Sequence, residues 1–429
     1  MDRKIKVLAY CDSPTVATGF GTVSRNIFEA LHRTGRYDVE VLGINYWGDP
    51  HPYPYRIWPT AINPENDPYG RQKVVNMIPQ MKFDILFVLQ DTFIVNFLPT
   101  LIPHLTTNRR EPFKTLMYFP IDSVLKEEWG KNIEVLDNLV AYCEFGKTEA
   151  LKTLPNRNID VIYHGVNTND YYPLPDEDVK KFREQFFGPL KDKWIVTNVN
   201  RNQQRKDIPR FLMAFKEFKK VVPDAVAYCH MATKDQGWKL DGVCDTLGFD
   251  MKKDVIFPQN FGPNQGYPKD VVNKIYNASD VVVSATLAEG MGLAWLEAMA
   301  TRTPIIMPDN TAMSEFITED RGYLVKSGGD LNLLTILPND NEVIRNLIDV
   351  NELTDTLINV HSNKEEAKKK AENAYKWVTT SMDWQKHIGA QWVALFDKVH
   401  GTLEDTNKEM NDVITSIGNL TPVIESEEL

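Results

Sequence analysis

Residues 280–309, DVVVSATLAEGMGLAWLEAMATRTPIIMPD, hold in one stretch the alternation that decides the fold. DVVVSAT is a short β-branched run, GLAWLEAMA is helical, and PIIMPD is a second short apolar run. Strands separated by helices imply a parallel sheet covered on both faces. Two glutamates sit inside this apolar stretch. Glu289 precedes Gly290 and Gly292, and Glu297 is the only charged side chain between Gly290 and Thr301. Leu293, Leu296, Glu297 and Ala300 share one helical face, and the helix is apolar nearly all round, as a buried helix is. A buried carboxylate needs hydrogen-bond partners, and ligand hydroxyls would supply them. The alternative for Glu297 is a route to solvent or a nearby arginine; for Glu289 it is an ordinary acidic first-turn residue. The first N–H groups of the helix have no internal partner, so its opening at Gly290 is an expected anion site.

The same alternation extends outward. KIKVLAY, DVEVLGI, DILFVLQ, KTLMYFP and LVAYC read as strands of a first unit, with GTVSRNIFEALHRTG as a helix between the first two. WIVTNV, AVAYC, DVVVSAT and PIIMPD form a second series, with helices IPRFLMAFKEFKKV, PKDVVNKIYNA and GLAWLEAMA between them. YYPLPDEDVKKF carries two prolines and reads as the linker. Asp176-Glu177-Asp178 within it reads as a helix start rather than a metal-binding pair. Two α/β units facing across a cleft are the expectation, and such clefts hold ligands. The chain's 429 residues fit roughly two or three domains.

Composition narrows the partners. A formal net charge of −11 argues against a surface built for nucleic-acid backbone or anionic membrane. The four cysteines, Cys11, Cys143, Cys229 and Cys244, are widely spaced, which argues against zinc or a disulfide framework and fits a reducing cytoplasm. No signal peptide or membrane-spanning run is read, leaving peripheral membrane contact open. From Leu403 onward seven acidic residues accompany one lysine, the composition of a poorly packed tail.

Ligands of parallel sheets bind beyond the carboxyl ends of the strands. Those positions hold the glycine loop TGFGT with Gly19 and Gly21, Gln90-Asp91, Pro120-Ile121-Asp122, NRNQQRKD, LAEGMG and PDNTAMSE. Glycines 19 and 21 permit close approach to an anion, but the third glycine of a dinucleotide fingerprint is missing. Arg201, Arg205 and Lys206 suit a diphosphate, with a solvated basic loop as the alternative. INYWGDPHPYPYRIWP, residues 44–59, is a Pro-rich loop whose rings, Tyr46 and Trp47 among them, could stack on an acceptor or pack structurally.

Together these residues resemble the retaining glycosyltransferases of family 4 (glycosyl transferases group 1), which have the GT-B architecture. Glu289-Gly290-Met291-Gly292-Leu293 and Leu296-Glu297-Ala298-Met299-Ala300 match its double-glutamate pattern, and Arg201 and Lys206 keep its arginine–lysine spacing. VIYHGVNTNDYYPL, TGFGTVSRNIFEAL, FGPNQGYPKDVVNKIYNASDVVVSAT and the terminal WQKHIGAQWVALF are similar to further family segments. The resemblance implies an N-terminal Rossmann-like domain over 1–175 on the acceptor side and a C-terminal one over 176–380 binding the donor. It also implies a helix over 381–402 crossing back onto the first domain, leaving the acidic tail at 403–429. It implies sugar transfer from a nucleotide-diphosphate sugar without a metal or other cofactor. Arg201 and Lys206 would neutralise the leaving diphosphate, Glu297 would hold the ribose, and Glu289 would contact the donor sugar. The N–H groups of Met291, Gly292 and Leu293 would bind phosphate or sugar, and Gly19 and Gly21 would approach the donor from the first domain. Catalysis falls to Glu289, Arg201, Lys206 and Asp122, and the acceptor side to Tyr46, Trp47, Asp91 and Asp122. The resemblance leaves the acceptor unidentified: a glycan, lipid-linked sugar or small molecule is expected, with a protein or modified nucleic-acid base less favoured. The alternatives are a GT-B sugar-nucleotide epimerase or phosphorylase, or a non-catalytic nucleotide-sugar binding subunit. The sequence departs from the family in four places: the histidine expected before Asp122 is missing, His164 stands for asparagine, Met291 for phenylalanine, and Asp207 for the glycine after the lysine.

Overall fold

The computed structural model describes residues 3–60, 65–262 and 266–418. The first sheet contains β1 (Ile5–Asp12), β2 (Tyr37–Ile44), β3 (Arg56–Pro59), β4 (Ile85–Leu89), β5 (Lys114–Phe119), β6 (Asn138–Ala141) and β7 (Ile159–Val161), in the order β3-β2-β1-β4-β5-β6-β7. The second contains β8 (Trp194–Val199), β9 (Ala225–His230), β10 (Val255–Ile256), β11 (Val281–Val283), β12 (Ile305–Asp309) and β13 (Tyr323–Lys326), in the order β10-β9-β8-β11-β12-β13. Every pairing within both sheets is parallel. A small antiparallel hairpin, β14 (Leu334–Ile336) and β15 (Ile344–Asn346), stands apart.

The expected strands are present, and two interior ones are buried throughout: β4 is ILFVL and β9 is AVAYCH, with no exposed residue in either. Such runs are what a sheet covered on both faces requires. The sequence reading missed β3, β7, β10, β13 and the hairpin. These elements are two to four residues long, too short to show a periodicity. β3 lies within the stretch read as the Pro-rich loop, as an edge strand parallel to β2. Edge positions tolerate proline because only one side of the strand must pair.

Asp176, Glu177 and Asp178 form the first turn of the helix Asp176–Phe187, where negative charge meets the positive end of the helix dipole. The phenylalanines of that helix pack on Ile195 and Tyr228 of the second sheet. The chain crosses between the units twice, side by side: Val166 N donates to Met382 O (2.8 Å) and Trp384 N to Val166 O (3.1 Å). Gly165 is required there, since a Cβ would lie 2.7 Å from Met382 O. Beyond this crossing, Trp392 and Phe396 are buried against Phe87 of the first sheet. Asp397 receives Arg36 at 2.5 and 2.9 Å. The helix is continuous over Gly389–Gly418 with Leu403 buried, so it passes through the boundary expected at 402/403. Residues 419–429 of the expected tail lie outside the described residues.

Candidate active site

Both sheets reverse their strand order at one point, between β1 and β4 and between β8 and β11. A crevice opens at the carboxyl ends of strands at such switch points. Here the two crevices share a cavity of ≈ 1110 Å³, whose lining includes Asp12, Gly19, Asp91, Asp122, Lys206 and Glu289.

The second unit supplies a charged cradle. After β8 the chain makes a tight turn at Gln204–Lys206 and enters the helix Ile208–Val221 through Asp207, whose φ of 42° is left-handed. That conformation accounts for the departure at 207: the position suits glycine, and aspartate is among the side chains that tolerate it. Arg205 O accepts from Leu287 N (2.8 Å), which ties the turn to the loop after β11. Lys206 and Glu289 are both buried and joined by an ion pair. Arg205 reaches Glu289 Oε2 at 3.4 Å and Ala288 O at 3.1 Å. Burial acts to raise the Glu289 carboxyl, but the charges of Lys206 and Arg205 outweigh it and hold it below its ordinary value. Lys206 is pushed down to about 8, first by burial and then by Arg205, with Glu289 opposing. Thr311 anchors the loop by accepting from Glu289 N at 3.0 Å. Its φ of 46° is costly for a β-branched residue, the kind of strain that gathers at functional sites.

Arg201 also lines the cavity, but it is exposed and held bidentately by Asp235, at 2.7 and 3.1 Å. Arg205, rather than Arg201, stands with Lys206 at Glu289. Arg205 belonged to the basic run in the sequence, but nothing in linear spacing says which of two arginines turns inward.

The glycine pair serves geometry. The helix begins at Ala294, later than Gly290, and ends at Ala300. Gly292 has φ 83°, and a Cβ there would lie 2.6 Å from Trp295 Nε1. Gly290 abuts Pro120 of the first unit and its carbonyl accepts from Cys143 Sγ at 3.2 Å. The N–H groups of Met291, Gly292 and Leu293 make no hydrogen bond among the described residues, and all three residues line the cavity. Glu297 is half-buried at the cavity wall and accepts from Tyr276 Oη at 2.8 Å. Burial pushes its carboxyl up against the hydrogen bonds of Tyr276 and Tyr171. An aromatic group, His230, Phe261 and Tyr267, lines the cavity with ring centroids 4.9 to 5.5 Å apart.

In the first unit, Thr18 caps the helix Gly19–Arg33 by accepting from Gly21 N (3.0 Å) and donates to Asp12 Oδ2 (2.7 Å). A Cβ on Gly21 would meet Val16 O at 2.6 Å, so this turn needs glycine. Gly19 faces the cavity with open space around it. Asp122 accepts from Arg345 Nη1 at 2.8 Å, and Arg345 is clamped by Asp340 at 2.7 and 2.9 Å. Burial raises the Asp122 carboxyl, and Arg345 and then Arg205 bring it below its ordinary value. Asp91 is pushed up to about 7, by burial first and the neighbouring Asp122 second. His164 is buried at the cavity, bonded through Nδ1 to Tyr118 Oη at 2.8 Å, and held neutral by burial, at about 3. Tyr46 is buried in the first unit's core, its hydroxyl donating to Asp49 O at 2.7 Å, and Trp47 is 61% exposed. Neither ring is among the side chains lining the cavity.

Residues 194–335 match the family profile described as Glycosyl transferases group 1. Those residues form a glycosyl transferases group 1 domain. The match covers the charged cradle, Arg201 to Lys206 and Glu289 to Glu297, and omits the first unit. Among curated relatives, the uncharacterized glycosyltransferase MJ1607 of Methanocaldococcus jannaschii is 28% identical over 168 residues, 39% of this chain and 40% of its own. EpsD of Bacillus subtilis (strain 168), whose name places it provisionally among glycosyltransferases, is 23% identical over 217 residues. That alignment covers 50% of this chain, which thus spans about half the length of the curated relatives it matches, 52% and 40%. Sucrose-phosphate synthase from Thermosynechococcus elongatus superposes with a TM-score of 0.70 at 18% identity, covering 93% of this chain and 100% of its own. Anabaena HepE, in complex with UDP and glucose, gives 0.67 at 15% identity, covering 92% and 100%. These likenesses establish the two-domain GT-B fold over most of the chain, with the glycosyl transferases group 1 domain as its second unit. Among the described residues no helix is long and apolar enough to cross a membrane.

Proposed function

We propose that the chain is a retaining glycosyltransferase that moves a sugar from a nucleotide-diphosphate sugar to a hydroxyl acceptor. The observation that carries this is the Arg205–Lys206–Glu289 cradle at the switch point of the glycosyl transferases group 1 domain, open to the cavity between the two units. Charge develops on the diphosphate as it departs. Fixed cations and N–H groups in a water-poor cleft stabilise such charge without reorganising. Arg205 and Lys206 supply the cations, Met291, Gly292 and Leu293 the N–H groups, and Arg201 joins them by exchanging Asp235 for phosphate. This division of labour assigns the charge neutralisation to side chains and needs no metal. Glu297, beside Tyr276, takes the ribose hydroxyls, and the donor sugar lies toward Glu289.

In the reaction the bond from sugar C1 to the diphosphate oxygen breaks and the bond from C1 to the acceptor oxygen forms. The acceptor's proton passes to the leaving diphosphate. Glu289 is engaged by two cations, which suits it to orienting them and the sugar rather than to forming a covalent intermediate. Transfer of the acceptor's proton to the leaving diphosphate puts the acceptor on the leaving-group face in this reading, and the configuration at C1 is retained. The neighbours' UDP supports a nucleotide-sugar donor, and UDP, GDP and ADP forms are all candidates.

Thermal shift with UDP, GDP and ADP tests the donor site, because a ligand that binds only the folded state raises Tm. At 100 times Kd the stabilisation is about 2.7 kcal/mol, a rise of several degrees for a chain of this size. No response to any of the three at millimolar concentration contradicts the proposal.

A further inference from the structure

The hairpin β14–β15 reaches across the cleft. Thr335 pairs with Arg345 on one face and Ile336 with Ile344 on the other. The second face is open, with Ile336 60% and Ile344 63% exposed, while Arg345 is buried at 4%. Arg345 donates to Asp122 of the first unit, and at the hairpin turn Glu342 lies 3.6 Å from Lys126. The turn bends through left-handed residues Asn339, Asn341 and Glu342. Beneath the hairpin the first unit presents Phe93 and Trp129, ring centroids 5.5 Å apart and both on the cavity wall. Asn132 Nδ2 donates to Thr92 O at 3.0 Å and fixes the loop carrying Phe93 to the helix carrying Trp129. Asp91 and Asp122 complete this end of the cavity.

We propose that the hairpin roofs the acceptor subsite, and that this subsite takes a neutral, hydroxyl-rich acceptor such as a sugar or the end of a glycan. The inference rests on the glycosyltransferase reading and names the acceptor class for that site. Carboxylates only accept hydrogen bonds when ionised, so Asp122 receives acceptor hydroxyls, and Asp91, near neutrality, can either give or receive one. The Phe93–Trp129 pair offers an apolar wall to the ring face of a sugar. The charge balance selects against an anionic acceptor. The cations at this end already have carboxylate partners: Arg345 is occupied by Asp122 and Asp340, Lys126, 5.1 Å over the Trp129 ring, by Glu342 at 3.6 Å, and Arg205 by Glu289 at 3.4 Å. A phosphate or carboxylate here would face Asp91, Asp122 and Asp340, and like charges brought together reject the wrong partner.

The test measures nucleotide diphosphate release and product mass with neutral methyl glycosides and disaccharides of common hexoses and pentoses. Their 6-phosphates and uronic acids form the matched anionic set. At least one neutral acceptor is expected to raise donor turnover tenfold or more over hydrolysis, with its anionic counterpart tenfold or more poorer in kcat/KM. Trp129→Ala is expected to raise that acceptor's KM about tenfold while donor KM moves less than twofold; Trp129→Phe, which keeps an aromatic wall, restores it to within threefold. Better use of the anionic set, an unchanged acceptor KM in Trp129→Ala, or hydrolysis that no neutral acceptor stimulates would each overturn the inference. Absence of any donor turnover overturns the glycosyltransferase reading, and this inference with it.

Discussion

Glu289→Gln separates charge from shape at the centre of the site. The amide keeps the volume and one acceptor oxygen but removes the negative charge that faces Lys206 and Arg205. A unit-charge pair at about 4 Å and an effective dielectric of about 20 is worth about 4 kcal/mol, equivalent to about three pKa units. Even half of that takes Lys206 from about 8 to roughly 6.5. In the variant Lys206 is then mostly neutral at pH 7.5, and the leaving diphosphate loses one of its cations. Complete removal of one preorganised contact of this type costs about 10²–10³ in kcat; with Lys206 still charged in about a tenth of the variant at pH 7.5, a loss of about tenfold is expected there. The assay is nucleotide diphosphate release from pH 5.5 to 9. The wild-type rate is expected to fall above pH 8, and the variant's rate above roughly 6.5, so the fold deficit grows from about pH 6.5 through pH 8, levels off above that, and narrows on acidification. Circular dichroism melting confirms the fold, because an uncompensated buried cation also costs stability. A variant within threefold of wild type at pH 7.5, or an alkaline limb that does not move, refutes the reasoning.

Other perturbations have equally definite outcomes. Lys206→Arg keeps the cation charged at all these pH values and is expected to abolish the wild-type decline above pH 8, read in the same assay. Glu297→Ala is expected to raise donor KM about tenfold with a smaller change in kcat, since it removes a ribose contact rather than a cation; equal losses in kcat would reassign it. Asp91 is held above its unfolded value, so the folded state favours its protonated form, and the stability this contributes is present below about pH 4 and lost as pH rises through about 7. Asp91→Asn is accordingly expected to raise Tm relative to wild type above pH 7, with the difference shrinking toward pH 4, by differential scanning calorimetry. Gly21→Ala places a Cβ 2.6 Å from Val16 O and is expected to cost about 1–3 kcal/mol in a urea melt.

The sequence was most informative where one element carries its own meaning. The long apolar strands, and the run that places Glu289, Gly290, Gly292 and Glu297 on one loop and helix, are local features, and the cavity contains all four. Meaning was lost where it depended on partners far along the chain. Asp122 and Arg345 are 223 residues apart and meet only because a three-residue strand crosses the cleft. Arg201 and Arg205 look alike in the sequence, and it is Asp235 on one side and Glu289 on the other that separate them. The aromatic residues at 46 and 47 stood in a stretch whose composition says loop, while two of the rings that line the cavity, Phe93 and Trp129, follow strands whose loops carried no aromatic cluster to draw attention.

The central claim is that the cradle drives departure of a nucleotide diphosphate from a sugar. Its most direct test is to incubate the purified protein with UDP-, GDP- and ADP-sugars and measure nucleotide diphosphate release by chromatography, with wild type and Glu289→Gln side by side at pH 7.5. The account predicts release from at least one donor by the wild type and a loss of about tenfold or more in the variant. Intact donors throughout, or release by the variant at the wild-type rate, would contradict it.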